Sequence, residues 1–153
     1  MKTVEERQPA DSFADSIHAV DLKVTATRLA VLAALSTRPH SSAEVMFEAV
    51  SRELPATSMQ AVYGVLAAFT AAGLVRRIEP AGSAALYERR VGDNHHHLVC
   101  TRCTAVHDVD CAVGEAPCLT PAQSTGSAAG FVVHEAEVTF WGLCASCQAA
   151  TSA

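Results

Sequence analysis

The chain has 153 residues, half of them hydrophobic, and a formal net charge of −5. That length allows one large domain or two small ones, and the composition supplies a genuine core. No apolar run approaches the roughly 18–20 residues of a membrane span, and the charged start M-K-T-V-E-E-R lacks the apolar stretch of an export signal; a cytoplasmic protein with no membrane partner is expected.

The charge is unevenly spread. Through Arg90 ten basic residues meet ten acidic ones, and beyond it Arg102 alone faces six acids. A neutral first part still suits nucleic acid if its bases gather on one face. Bound divalent cations would offset the acidic remainder. Six cysteines in a chain with no export signal fit reduced, metal-bound thiols better than disulfides.

In chain order, residues 12–20 predict a short helix with Phe13, Ile17 and Val20 on one side. Thr25 is the expected N-cap of a second helix carrying Leu29, Leu32, Ala33 and Leu35. Ser41-x-x-Glu44 reads as a capping box opening a third helix with Val45, Met46, Ala49 and Val50. Ser58 caps a fourth, whose stripe is Val62, Val65, Leu66 and Phe69, and Gly73 is the expected residue just past its end. Residues 74–79 and 84–88 predict a β-hairpin around a four-residue loop, 80–83.

Helices followed by a two-stranded hairpin within about 80 residues suggest a winged helix-turn-helix. The fourth helix would then enter the major groove of double-stranded DNA by its first residues, Ser58, Gln60 and Tyr63. Gln60 offers an amide to base edges, and Tyr63 reaches a phosphate or a thymine methyl. Lys23, Arg28, Arg76 and Arg77 are the phosphate candidates. Taken singly, these are ordinary surface residues; it is their order that points to DNA.

Residues 90–94 read as a hinge, dividing a DNA-binding domain at 1–89 from a second domain at 95–153. In the second, 98–100 and 105–109 predict two strands around a Cys-x-x-Cys turn. The stretch 113–130 is ambiguous. Residues 131–141 alternate apolar and polar side chains and predict one long strand, the expected pairing element of a homodimer.

The chemistry concentrates in E-R-R-V-G-D-N-H-H-H-L-V-C-T-R-C-T-A-V-H-D, residues 88–108. Imidazole and thiolate are the best side-chain ligands for borderline and soft metals. Cys100 and Cys103, joined by Cys144 and Cys147, can close a tetrahedral four-thiolate zinc site. Their wide separation staples distant parts of one domain, unlike a compact ribbon. If the histidine run lies on a strand, His95 and His97 share one face and His96 takes the other, so the run serves two different sites.

The whole arrangement resembles the ferric uptake regulator family over about residues 12–148. The matching motifs are Q-A-V-Y around Tyr63, Y-E at Tyr87 and Glu88, H-H-H-L-V-C-T-R-C, and F-W-G-L-C-A-S-C. The segment V-H-D-V-D-C-A-V-G-E-A-P-C-L looks like the FurA-type actinobacterial branch, whose members often repress catalase-peroxidase genes and their own operon. The resemblance implies an α+β fold, with an N-terminal winged helix-turn-helix domain and a C-terminal α/β dimerisation domain with a small antiparallel sheet. It implies structural Zn(II) on the four cysteines named above. It also implies a regulatory site of His40, Glu88, His95, His97 and Asp108, a nitrogen-oxygen set suited to Fe(II), with Mn(II) or Zn(II) as alternatives. Where many iron-uptake members carry Glu, Asp108 tilts the reading toward oxidative stress.

The chain departs from the family pattern in several places. Asn94 and Ala136 stand where histidines are usual, leaving His96, Glu115 and His134 as the remnant of a third site. Gly64 replaces an arginine of the fourth helix. Cys111 and Cys118 are extra thiols, read as buried core cysteines or as redox-responsive ones.

The expected function is therefore a metal-dependent repressor of iron or oxidative-stress genes that binds operator DNA as a dimer, and not an enzyme. Four thiolates leave zinc no open position, and neither H-E-x-x-H nor G-x-S-x-G occurs. The alternative is a metal-buffering or zinc-redox protein with no DNA role.

Overall fold

The computed structural model describes residues 9–115, 117–119 and 130–151. The chain divides into two units, Met1–Val91 and Gly92–Ala153, and the division falls inside the stretch read as a hinge.

Among its described residues the first unit holds four helices and a hairpin: α1 (Pro9–Ala19), α2 (Ala26–Thr37), α3 (Ala43–Glu53), α4 (Met59–Ala71), β1 (Arg76–Ile78) and β2 (Leu86–Glu88). Its core comes from every helix: Ile17 from α1, Val31, Leu32 and Leu35 from α2, Met46 and Val50 from α3, and Val62, Leu66 and Phe69 from α4. These recur at the three- and four-residue steps that line one helical face. Val75 and Tyr87 extend the core to the hairpin.

Side-chain oxygens open three of the helices. Thr25 accepts from the Arg28 N–H and Ser58 from the Ala61 N–H, as expected. For α3 the cap is Ser42, which accepts from the Val45 N–H, and not the expected Ser41. Ser41 has other work: its hydroxyl donates to the Arg38 carbonyl, and its backbone bridges to Tyr87. The helix start is one residue later than expected, and Val45 lies at the surface rather than in the core. At the far end of α4, Gly73 has φ +71, its N–H reaches the Thr70 carbonyl, and Leu74 N–H reaches Phe69. That is a Schellman ending, which needs a residue free to adopt positive φ.

The hairpin is shorter than the sequence suggests. Arg76 pairs with Glu88, Arg77 with Tyr87 and Ile78 with Leu86. The Pro80–Ser83 turn closes with a 2.9 Å hydrogen bond inside a longer connection, 79–85.

The second unit is a three-stranded sheet of order β4-β3-β5, from β3 (His95–Cys100), β4 (Val106–Asp110) and β5 (Thr139–Gly142), followed by a short helix α5 (Ala145–Ala149). β3 is antiparallel to β4 and parallel to β5, so the expected antiparallel sheet is a mixed one. The long strand expected at 131–141 is corrected too: regular pairing is confined to Thr139–Gly142, and residues 131–138 carry no strand. Phe131 and Val132 are exposed, and alternation shows only that a segment could pair, not that it does. Most of the ambiguous stretch 113–130 lies outside the described residues.

Replacing Phe69 by Ala should cost about 3–5 kcal/mol, since the side chain is fully buried in the helical core. Urea unfolding followed by far-ultraviolet circular dichroism measures it.

Candidate metal centres and nucleic-acid interface

In the first unit, the main chain brings His40 to Glu88. The Tyr87 N–H donates to the Ser41 carbonyl at 2.9 Å, laying the 40–41 turn along β2. His40 has φ +57, in the left-handed region that non-glycine residues seldom occupy. Its Nε2 stands 2.9 Å from Glu88 Oε2. Glu88 is 1% exposed, and Arg76 Nε lies 4.0 Å from its other oxygen. A carboxylate is costly to bury unless cations or donors surround it. Here a histidine and an arginine do so.

In the second unit, His95, His96 and His97 are consecutive on β3 and all buried. Strand alternation puts the first and third on one face, where their rings meet edge to face at 5.0 Å. Asp108, opposite His97 on β4, sets Oδ1 3.7 Å from His95 Nε2 and 3.5 Å from His97 Nε2. Asp93 Oδ1 holds His95 Nδ1 at 2.7 Å. A carboxylate on one ring nitrogen fixes the tautomer and aims the other nitrogen's lone pair, the usual support of a metal-binding imidazole. Asp93 lies outside the set the sequence suggests; its place two residues before a strand histidine is the available signal.

The middle histidine, His96, serves the other face. Its Nε2 lies 3.0 Å from Cys118 Sγ and its ring packs edge to face with Phe140. The expected companions of a third site do not join it: Glu115 and His134 are exposed and belong to no metal-capable donor group among the described residues. Cys111 and Cys118 are half-buried rather than core residues. Backbone N–H groups of Gly114, then Val113, pull the Cys111 thiol down, whereas burial, then Cys111, pushes Cys118 up.

Cys100, Cys103, Cys144 and Cys147 converge, with all four sulfurs within 4.8 Å of one another. Cys100 ends β3, and a tight turn returns at Ala105. The turn is held by Cys100 N–H to Ala105 and Thr104 N–H to Cys100, both 2.9 Å. Thr104 sits at φ +63, uncommon for a β-branched residue. The Cys103–Cys144 sulfur separation is 3.7 Å. Tetrahedral zinc, with bonds near 2.3 Å, needs about 3.8 Å between sulfurs, so the donor set fits. Without a cation, four thiols this close do not ionise together. Backbone N–H groups of Cys103, then Cys144 and Arg102, pull Cys100 down to about 5, and the Cys144 thiol with burial pushes Cys147 up to about 12.

The expected DNA-reading residues have mixed environments. Lys23, Ser58 and Gln60 are exposed near the starts of α2 and α4. Arg28 Nη1 donates to the Lys23 carbonyl, Arg77 pairs with Glu79 at 3.1 Å, and Arg76 stands beside Glu88. The Tyr63 hydroxyl is exposed, yet it donates to Glu44 Oε1 at 2.8 Å and so ties α4 to the start of α3. No helix among the described residues is long and apolar enough to cross a membrane.

The ferric uptake regulator family matches residues 19–140. The chain is 56% identical over 135 residues to "Transcriptional regulator FurA" of Mycobacterium tuberculosis, covering 88% of this chain and 89% of that protein. To "Ferric uptake regulation protein 2" of Mycolicibacterium fortuitum it is 47% identical over 143 residues, covering 92% and 95%. Among solved structures, the Helicobacter pylori ferric uptake regulator superposes with a TM-score of 0.63 at 21% identity, covering 97% of both chains. The Vibrio cholerae protein gives 0.61 at 24%, covering 86% of this chain and 98% of that one. At those identities the likeness to solved structures concerns the fold.

The Glu44 carboxyl is held below its usual range first by its own backbone N–H and then by the Tyr63 hydroxyl. Tyr63→Phe should therefore raise the Glu44 pKa part of the way back. The contribution of this group to stability is present above the unfolded carboxylate pKa and lost as pH falls through the folded value, so the variant should lose it at a higher pH. Carboxyl NMR titration of both proteins measures the shift.

Proposed function

Because the chain belongs to the ferric uptake regulator family, we propose that it is a metal-dependent transcriptional repressor that binds operator DNA as a homodimer in the cytoplasm. The observation that carries this reading is the orientation of the β3–β4 donors. His95 and His97 Nε2 both face Asp108 Oδ1, with Asp93 behind His95. Two buried imidazoles that converge on an exposed carboxylate make a nitrogen-oxygen donor set suited to a divalent cation.

The second half of the regulatory set is the His40–Glu88 pair. We assign all five residues to one labile site of nitrogen and oxygen donors, suited to Fe(II), with Mn(II) or Zn(II) as substitutes. A divalent cation shared by donors from both units favours the arrangement in which they approach, and so shifts the population toward it. What the protein contributes is a buried Glu88, a His40 fixed by its backbone, and a prepared strand face. In the favoured arrangement the two α4 helices of a dimer would address successive major grooves, with Gln60 at base edges and Lys23 and Arg28 near phosphates. A dimer is needed because one winged helix reads too few bases for genomic specificity.

The four cysteines are assigned to structural Zn(II), which their convergence and the 3.7 Å Cys103–Cys144 sulfur separation support. The target genes are those of iron homeostasis or of the oxidative-stress response, the latter favoured by Asp108. A metal buffer or zinc-redox protein with no DNA role is the reading this replaces.

Fluorescence anisotropy on the chain's own promoter, with Mn(II) or anaerobic Fe(II) and after chelation, tests the proposal. A coupling of about 1–3 kcal/mol, roughly 5–150-fold in affinity, is expected. His97→Ala should abolish the metal response. Promoter affinity that ignores removal of the labile ion refutes the reading.

Metal analysis should find one zinc per chain that survives mild chelation in both wild type and His97→Ala. Cys144→Ser should lose it. A zinc-free yet folded wild-type protein would remove the structural assignment without touching the regulatory one.

A further inference from the structure

Among the described residues, the regulatory and four-cysteine assignments leave one donor cluster unused, on the opposite face of β3. His96 is buried in the central strand, Cys111 directly follows β4, and Cys118 lies on the chain beyond it. The imidazole nitrogen and the two sulfurs all lie within 4.8 Å of one another. We propose that His96, Cys111 and Cys118 form a separate three-donor site for a thiophilic cation, Zn(II) or Cu(I).

The position of the ring supports this. His96 Nε2 points at Cys118 Sγ, 3.0 Å away, while Nδ1 is buried without a partner among the described residues. The ring's one polar engagement is thus with sulfur. A histidine kept only for packing would be costly here, because burying an imidazole with one nitrogen unpaired is unfavourable. Phe140 packs against the ring edge and limits its swing.

The geometry is close to what an ion requires. Bonds near 2.0–2.1 Å to nitrogen and 2.3 Å to sulfur set the nitrogen–sulfur separation at about 3.5 Å around tetrahedral zinc. The observed 3.0 Å opens to that value with a shift of about half an ångström in one side chain. Two thiolates and one imidazole favour soft and borderline ions over Fe(II) or Mn(II), which prefer nitrogen and oxygen. This separates the cluster chemically from the His95–His97–Asp108 face. Three protein donors complete a trigonal Cu(I) site, or leave a tetrahedral zinc one position open to water. Binding releases the proton of each thiol that was not already ionised. Both cysteines are half-buried, so the ion has a route in.

Co(II) serves as the probe, because sulfur donors give it a near-ultraviolet charge-transfer band that nitrogen-oxygen sites do not. The full chain is reduced, kept anaerobic, loaded with one equivalent of zinc and titrated with Co(II) while bound zinc is monitored. Wild type should develop the band with no loss of zinc, and Cys111→Ser/Cys118→Ser should keep its zinc and lose the band. In unsubstituted protein, added Zn(II) should slow iodoacetamide modification of Cys111 and Cys118, read by peptide mass spectrometry; this arm needs no variant to fold. No band in wild type, a band that persists in the double variant, or equal alkylation with and without Zn(II) overturns the proposal. So does a Cys111–Cys118 disulfide that forms under air when the Co(II) band is absent, which would assign the pair to thiol oxidation instead.

Discussion

Strand β3 must bury three consecutive imidazoles, and each has two nitrogens to satisfy. His95, His96 and His97 are at most 5% exposed. Packing alone would fill such a strand with aliphatic residues, because an unpaired polar group inside a protein costs about 1–3 kcal/mol. The neighbours meet part of this demand, with His96 Nδ1 left without a partner among the described residues. Asp93 takes one nitrogen of His95, Asp108 faces both outer rings, and Cys118 meets the middle ring. Because strand side chains alternate, one run of sequence supplies two chemically unlike faces. The β4 register, with His97 opposite Asp108, fixes which acid reaches which ring. A slip of one residue would exchange the faces and leave all three rings wrongly partnered.

The first unit solves the corresponding problem with a bent backbone. Glu88 is buried at the end of β2, and its partners come from a turn and from the adjacent strand. His40 reaches it only because residue 40 adopts a left-handed conformation and residue 41 bridges to Tyr87. The same serine therefore cannot cap α3, and Ser42 does so. One displaced cap is the local consequence of placing an imidazole beside a buried carboxylate. Arg89, immediately after, stacks over Phe13 and donates to Ser36, fastening the end of the hairpin to α1 and α2.

What is legible in the sequence follows from how local each signal is. Helices α2 to α4 declare themselves through caps and three-to-four-residue spacing, and Gly73 marks an ending that requires positive φ. The four-cysteine cluster is legible because a repeated Cys-x-x-Cys spacing supplies the four thiolates that close a tetrahedral zinc site. The 131–141 segment misleads because alternation shows only that a segment could pair, and the pairing is confined to Thr139–Gly142. Ser41 misleads because two adjacent serines are equally good caps, and a bridge 46 positions away decides between them. Cys111 and Cys118 cannot be placed from sequence at all: seven residues apart on an irregular stretch, they have no periodicity to report that both sulfurs turn toward His96.

The donor sets differ in softness, and that difference gives the arrangement its chemical sense. Four sulfurs make one cluster, nitrogen and carboxylate oxygen make the His95–His97–Asp108 face and the His40–Glu88 pair, and one nitrogen with two sulfurs makes the cluster around His96. Raw affinity among first-row divalent ions follows a fixed order whatever the protein, so a chain that must respond to a weakly binding ion such as Fe(II) or Mn(II) has to keep stronger competitors elsewhere. Thiolates attract those competitors more strongly than carboxylates do. A strand that places its sulfur-facing imidazole between two oxygen-facing ones separates the two kinds of demand by the thickness of a single β-strand, and the pleat of the backbone alone keeps them apart.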